Sequence, residues 1–273
     1  MCVFRVEGCG VSDSDLSSRV RPAYAQASSL EEIRGNLESI QGRIAAACER
    51  SGRSLSEVRL LPVSKTVDAE RLRLVYAAGC RDLGENKVQE AWNKSVEMAD
   101  LTDLRWSVIG HLQTNKARVV ARFAHEFQAL DSLRLAEELD RRLQAEGRSL
   151  NVLVQVNTSA EPSKYGLAPE AVEAFMRELP AFSSLRVKGF MTLALFSEDK
   201  VRVRECFIRL RQLRDRLRDS VDPSIAMDQL SMGMSGDFEM AIEEGATVVR
   251  IGQAIFGARA LPDAHYWPGI PAN

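Results

Sequence analysis

Long hydrophobic runs are what this chain most plainly lacks. No apolar stretch reaches the length that a membrane-spanning helix needs, and the N-terminus has no apolar signal core. Cysteine and histidine are sparse. The five cysteines (Cys2, Cys9, Cys48, Cys80, Cys206) are widely spaced, contain no CxxC and are odd in number, so they make a poor disulfide framework. Free thiols in a reducing compartment are expected, with the cytoplasm as the address. His111, His125 and His265 lie far apart and match no HExxH or similar metal pattern. An excess of one charge is missing too: 36 basic and 38 acidic residues leave a formal net charge of −2. No global field therefore draws the chain to nucleic acid or to a membrane surface. A mitochondrial leader would be rich in Arg and poor in acids, and Glu7, Asp13 and Asp15 argue against one.

What is present suffices for one large core. With 45% hydrophobic and 27% charged residues over 273 positions, the composition suits a single α/β barrel. Residues 1–28 mix Ser, Gly, Asp and Arg without periodicity and read as a disordered or loosely attached extension. Residues 29–260 form the expected barrel domain, and 261–273, with Tyr266 and Trp267, a terminal tail. From Ser29 the pattern turns helical. Leu30, Ile33, Leu37, Ile40, Ile44 and Ala47 recur at helical spacing, and Ser29 with Glu32 has the form of a capping box, predicting a long helix that ends near Ser51-Gly52.

Beyond that helix, short apolar runs alternate with amphipathic segments. Strands are predicted at 59–65, 81–84, 105–109, 126–130, 151–157, 185–193, 228–232 and 247–251, with helices between them at 68–78, 86–99, 114–124, 132–146, 169–179, 199–219 and 237–244. Eight strands with interleaved helices predict a (β/α)8 TIM barrel carrying an extra N-terminal helix, with the chemistry on the loops that follow the strands. A doubly wound open sheet is the alternative; the lack of GxGxxG after the first strand weakens its dinucleotide-binding form. The arginine-rich segment 201–218 alternates with Leu, Asp and Glu, as a solvated helix face does.

The predicted strand ends carry unusual groups. Lys65 closes the run Leu60-Leu61-Pro62-Val63-Ser64. It is either a lysine that snorkels to solvent or a desolvated amine of the kind that serves as nucleophile or Schiff-base former. The turn Ser231-Met232-Gly233-Met234-Ser235-Gly236-Asp237 leads into a predicted helix, and Gly252-Gln253 follows the last strand. In barrels the loops after strands seven and eight frequently build a phosphate site, although an N-capping Ser at a tight turn also occurs without any ligand. Arg250 is placed to point inward, where a guanidinium must meet a ring nitrogen, a carboxylate or a phosphate, or else pair with a barrel acid such as Asp82 or Glu85. Asn86 could bond a ligand oxygen or cap the following helix. His111 is either a second acid–base group or a helix-entry residue, and Lys164 is either a solvated lysine or a secondary acceptor for a transferred group.

Longer stretches carry more than spacing does. LLPVSKT (60–66), GENKVQEA (84–91), WSVIGHLQTNKAR (106–118), VLVQVNTSAEPSKYGL (152–167), GFMTLA (189–194), LSMGMSGDFEMAI (230–242) and TVVRIGQAIFGAR (247–259) together resemble the pyridoxal 5′-phosphate homeostasis protein family, in order over nearly all of 30–259. Members of that family look like the barrel domain of alanine racemase standing alone. The resemblance implies pyridoxal 5′-phosphate as cofactor and Lys65 as its Schiff-base lysine. It further implies Ser235, Gly236, Gly252 and Gln253 at the phosphate, Arg250 near the pyridine nitrogen, and Asn86 beside the ring. An Arg at that nitrogen makes the cofactor a weak electron sink, which argues against demanding carbanion chemistry. Phe190 and Lys87 depart modestly from the family pattern, and the racemase's second domain has no room after 259. The implied role is a monomeric carrier that buffers pyridoxal phosphate and hands it to apoenzymes. The alternative is a pyridoxal-phosphate-dependent amino-acid racemase or decarboxylase, and a more distant one an aldolase acting on sugar phosphates.

Overall fold

The computed structural model describes residues 24–161 and 164–258. Of the expected extension, residues 1–23 lie outside the described residues, as does the tail from 259 onward. Residues 24–28 run against the barrel: Ala27 is buried, its N–H donates to Phe256 O at 3.2 Å, and Ala258 N–H donates to Tyr24 O at 2.9 Å.

The predicted first helix is α1 (Leu30–Arg50). It starts where the sequence places its cap, because Ser29 Oγ accepts the Glu32 N–H while the Glu32 carboxylate accepts the Ser29 N–H, which satisfies two of the otherwise orphaned donors of the first turn. Its apolar stripe, Ile33, Leu37, Ile40, Ile44 and Ala47, is buried, and the helix packs on neighbouring helices.

All eight predicted strands are found, most shorter than expected: β1 (Arg59–Pro62), β2 (Asp82–Glu85), β3 (Arg105–Val108), β4 (Glu126–Leu130), β5 (Leu150–Gln155), β6 (Leu185–Met191), β7 (Gln229–Ser231) and β8 (Val248–Ile251). They form one parallel sheet in the order β1-β8-β7-β6-β5-β4-β3-β2. An isolated parallel bridge, Val63 to Gly84, and the bond from Ser64 N–H to Gly84 O at 2.9 Å bring the two ends together. This is a nearly closed barrel, and the doubly wound alternative falls. The crossovers are α2 (Ala69–Ala77), α3 (Val88–Glu97), α4 (Ala117–Phe123), α5 (Leu133–Ala145), α6 (Val172–Glu178), α7 (Lys200–Leu217) and α8 (Phe238–Glu243). A short α9 (Gln253–Phe256), which was not expected, follows β8.

The predicted helices 114–124 and 169–179 each open instead with a 3-10 turn, at Thr114–Lys116 and Pro169–Ala171. In the second, Pro169 sits at the first position, where its missing N–H costs nothing. Two arginines of α7 are tied to acids around α8: Arg204 pairs with Glu243 and Glu244 at 2.6 Å each, and Arg211 reaches Glu244 at 3.2 Å. Among the described residues no helix is long and apolar enough to cross a membrane.

Candidate functional site at the strand-end rim

Lys65 does not close its strand. β1 ends at Pro62, and Lys65 lies in the turn beyond, 5% exposed, so the amine is buried and the snorkelling alternative fails. It lines a cavity of about 130 Å³ together with Val63, Thr66, Arg71, Gly252 and Gln253. The structure thus joins the ends of β1 and β8, as the pairing of Pro62 with Ile251 requires. Gly252 fits closely there: a Cβ would stand 3.0 Å from Val63 O, and the backbone would have to give a few tenths of an ångström to admit it. Arg71 was missed by the sequence reading; its guanidinium donates to Ala27 O and Phe256 O and ties the first residues of the domain to this corner.

The backbone around Lys65 is held by a cluster to which the sequence reading gives no such role, although Glu85 and Glu90 lie within GENKVQEA. Lys94, on α3 and only 7% exposed, donates to Ser64 O at 2.8 Å, to Glu85 Oε1 at 2.6 Å and to Glu90 Oε1 at 2.7 Å. Ser64 Oγ donates to the same Glu85 oxygen at 2.6 Å, and Thr66 N–H donates to Glu90 Oε1 at 2.7 Å. Glu85 is fully buried, and its Oε2 has no hydrogen-bond partner among the described residues. Burial pushes its carboxyl up to about 7 despite the Lys94 ammonium. The visible signals were the Glu90–Lys94 spacing of four and the position of Lys94 in register with the buried Val88 and Ala91.

Arg250 is 3% exposed and inward, as alternation predicts, but Asp82 and Glu85 are not its partners. Asp82 pairs with Arg59 and Arg105, and Glu85 with Lys94. Arg250 instead donates from Nη1 to Ser231 Oγ at 2.6 Å and from Nη2 to Thr192 O at 2.8 Å. Ser231 Oγ donates a hydrogen bond to Gln128 Oε1 at 2.6 Å, and Gln128 Nε2 donates to Glu126 Oε2 at 2.6 Å. Glu126 also accepts from Ser107 and from Arg59 of β1. Because β4 is adjacent to neither β7 nor β1 in the sheet, these bonds must cross the barrel interior. Each link donates in the same direction, so the chain is polarised from the Arg250 guanidinium toward the Glu126 carboxylate. Burial lowers the Arg250 pKa to about 10, with Asp237 opposing the shift, and the group stays charged at neutral pH.

The turn after β7 is tied to this arginine through Arg250 N–H, which donates to Gly233 O at 3.0 Å. Gly233 has φ +92°, and a Cβ on it would approach the Ala241 Cβ to 2.6 Å, so glycine alone allows the turn to lie on α8. Asp237 Oδ1 accepts the Met234 N–H at 2.6 Å. Ser235 is partly buried and Gly236 exposed, with open space where a Cβ would be; neither lines the Lys65 cavity. Asn86 follows β2 but does not cap α3, whose N-cap is Lys87, and its carbonyl lies where a Cβ on Gly110 would stand, at 2.1 Å.

His111 stacks on Tyr165, centroids 3.9 Å apart, with Nδ1 3.5 Å from Asp131 Oδ2. Lys164 is bound rather than solvated, donating to Ala194 O at 2.9 Å and pairing with Glu161 at 2.5 Å. A larger cavity, about 480 Å³, opens between Arg53, Arg59, Asp228, Gln229 and Thr247. It lies at the N-terminal ends of β1, β7 and β8, the face that in such barrels serves stability.

The closed parallel sheet, the buried lysine after β1 and the glycine turn after β8 define a barrel of the alanine racemase class, and residues 31–260 match the alanine racemase N-terminal domain model. The chain belongs to the pyridoxal phosphate homeostasis protein family. It is 41% identical over 230 residues to the Pyridoxal phosphate homeostasis protein of Pseudomonas aeruginosa, covering 84% of this chain and 97% of that one. The protein of the same name from Aquifex aeolicus is 41% identical over 223 residues, 82% of this chain and 96% of that one. The structure of PipY from Synechococcus elongatus with PLP bound superposes with a TM-score of 0.73 at 35% identity, covering 82% of this chain and all of that one.

Proposed function

We propose that the chain binds pyridoxal phosphate through Lys65, buffers it, and releases it to apoenzymes that need it, without efficient turnover of amino acids. The observation that carries this reading is the cavity of about 130 Å³ lined by Lys65 and the Gly252-Gln253 turn, at the end of the barrel where such folds do their chemistry. The family membership and the PLP-bound PipY structure support it. The residues present suit the cofactor: a buried primary amine, glycines that admit close approach, and a guanidinium whose hydrogen bonds go to neutral oxygens. When bound, pyridoxal phosphate supplies an aldehyde that condenses with a primary amine with loss of one water and is freed again by hydrolysis.

The remaining roles belong to the protein. Lys65 holds the cofactor; Ser235, Gly236, Gly252 and Gln253 hold the phosphate with hydroxyl and backbone donors; Asn86 flanks the ring. Arg250 sits at the ring nitrogen. A guanidinium does not give up its proton at neutral pH, so an acceptor facing it stays unprotonated and electron withdrawal is weak, which favours holding over turnover. The free thiols Cys48, Cys80 and Cys206 accord with a reducing, cytoplasmic setting, and we take the working form to be a monomer.

Mass spectrometry of the borohydride-reduced holoprotein tests the assignment: the mass of the reduced cofactor is expected on the peptide carrying Lys65, and its appearance on another lysine would overturn it. Following α-proton exchange of alanine, serine and glutamate by NMR distinguishes the carrier from a racemase, since turnover at rates typical of enzymes would contradict the carrier reading.

A further inference from the structure

The segment that presents Lys65 is constrained on both sides by charge. Before it, Ser64 is fixed at three atoms: its N–H donates to Gly84 O at 2.9 Å, its carbonyl accepts from Lys94 at 2.8 Å, and its hydroxyl donates to Glu85 at 2.6 Å. After it, the Thr66 N–H is held by Glu90 at 2.7 Å. Thr66 has φ +66°, in the left-handed region that a β-branched residue rarely enters unless its surroundings hold it there. Lys94 is the hub. An ammonium has three protons to donate, and its three acceptors are the Ser64 carbonyl, Glu85 and Glu90. Lys65 is the one residue between the two fixed points.

We propose that Lys94, Glu85 and Glu90 form a buried clamp on the backbone either side of Lys65, that they are positioning residues setting how fast the bound cofactor is released, and that the ionisation of Glu85 makes this release depend on pH. This rests on the reading of Lys65 as the cofactor lysine. Glu85 faces Lys94 and Glu90 from α3 and Ser64 from the turn after β1. When all three groups are charged, the cluster carries one surplus negative charge. Protonating Glu85 cancels it and converts the charge-assisted bonds from Lys94 and Ser64 into weaker ones. The carboxyl is pushed by burial to about 7, and its Oε2, buried without a partner among the described residues, is where a proton would reside. The clamp is therefore tight when Glu85 is ionised and looser when it is neutral. The cofactor should leave faster on the acid side.

The test uses the full chain. Wild type, Glu90→Ala, Glu90→Gln, Lys94→Met and Glu85→Gln are loaded with pyridoxal phosphate, diluted, and the loss of the bound cofactor's absorbance is followed. Release from Glu90→Ala and Lys94→Met is expected to be at least about fivefold faster than from wild type, with Glu90→Gln, which restores an acceptor for Thr66, close to wild type. Glu85→Gln mimics the protonated state, so its release rate relative to wild type should be near one at about pH 6 and severalfold higher at about pH 8. In the cofactor-free chain, hydrogen exchange at the Thr66 amide should quicken in Glu90→Ala, where alanine is a good helix former and α3 remains intact. Should Lys94→Met fail to fold, Glu90→Ala and its rescue by Glu90→Gln decide alone. Wild-type release from Glu90→Ala, or a Glu85→Gln ratio that does not change with pH, would overturn the clamp. Cofactor found on a lysine other than Lys65 would instead defeat the anchor assignment, while amide exchange would still report whether the clamp holds the turn.

Discussion

Two charged networks are buried at this rim, and they solve the same problem in opposite ways. Around Lys65, the Lys94 ammonium makes direct ion pairs with Glu85 and Glu90, two acids for one base. Around Arg250, among the described residues the guanidinium's hydrogen bonds go to a hydroxyl and a carbonyl, and Asp237 acts on it through charge. The carboxylate along its hydrogen-bond chain, Glu126, is reached through Ser231 and Gln128. Direct pairing makes the first network rigid but sensitive to the loss or protonation of any member. The relayed network leaves Arg250 less firmly neutralised, which suits the ligand-facing role proposed for it.

This contrast can be broken most sharply by Lys94→Met. It strands two carboxylates, one of them fully buried, and should cost about 3–5 kcal/mol in urea unfolding. The next effect is a pH dependence. Burial raises the Glu85 carboxyl from its ordinary 4.5 to about 7, so between those values the folded chain keeps a proton that the unfolded chain has released. Stability should fall as pH rises through that window, by on the order of a few kcal/mol, and this slope should disappear in Glu85→Gln. The Arg250 guanidinium, its pKa lowered by burial to about 10, adds no slope there.

Arg250→Met should cost less, about 1–3 kcal/mol, because it leaves neutral acceptors unpaired and no charge stranded. It should nevertheless weaken cofactor retention in equilibrium dialysis. A larger unfolding penalty for Arg250→Met than for Lys94→Met would erase the distinction between the two networks. Ser231→Ala is expected to have the smallest effect, about 1 kcal/mol, since Arg250 retains Thr192 O; unchanged cofactor affinity in that variant would show that the relay to Glu126 does not reach the ligand.

Local signals were read where local physics decides. The Ser29–Glu32 capping box places the start of α1 because both of its hydrogen bonds are made within four residues. The eight strands were visible as apolar runs between amphipathic segments. Their lengths were overdrawn, since apolar residues continue past the last paired position; thus β1 stops at Pro62 while Val63 only bridges to Gly84. Of the alternatives open for Arg250, pairing with a barrel acid such as Asp82 or Glu85 is the one the structure removes. Residue order does not say which strands face one another across the barrel, where the arginine reaches β7 and the end of β6.

Residue order alone settles the element types, the cap of the first helix, the inward parity of Arg250, and the motifs that mark Lys65 and the turns after the seventh and eighth strands. These follow from period, capping chemistry and steric freedom, all of which act over a few residues. Closure of the barrel decides the rest. Only when β1 meets both β8 and β2 do Lys65 and Gly252 line one cavity, and only then does α3 bring Lys94 against the Ser64 carbonyl, thirty positions away in the chain. A buried amine or guanidinium must find partners wherever the packed chain supplies them, because leaving its charge uncompensated costs more than the fold can spare.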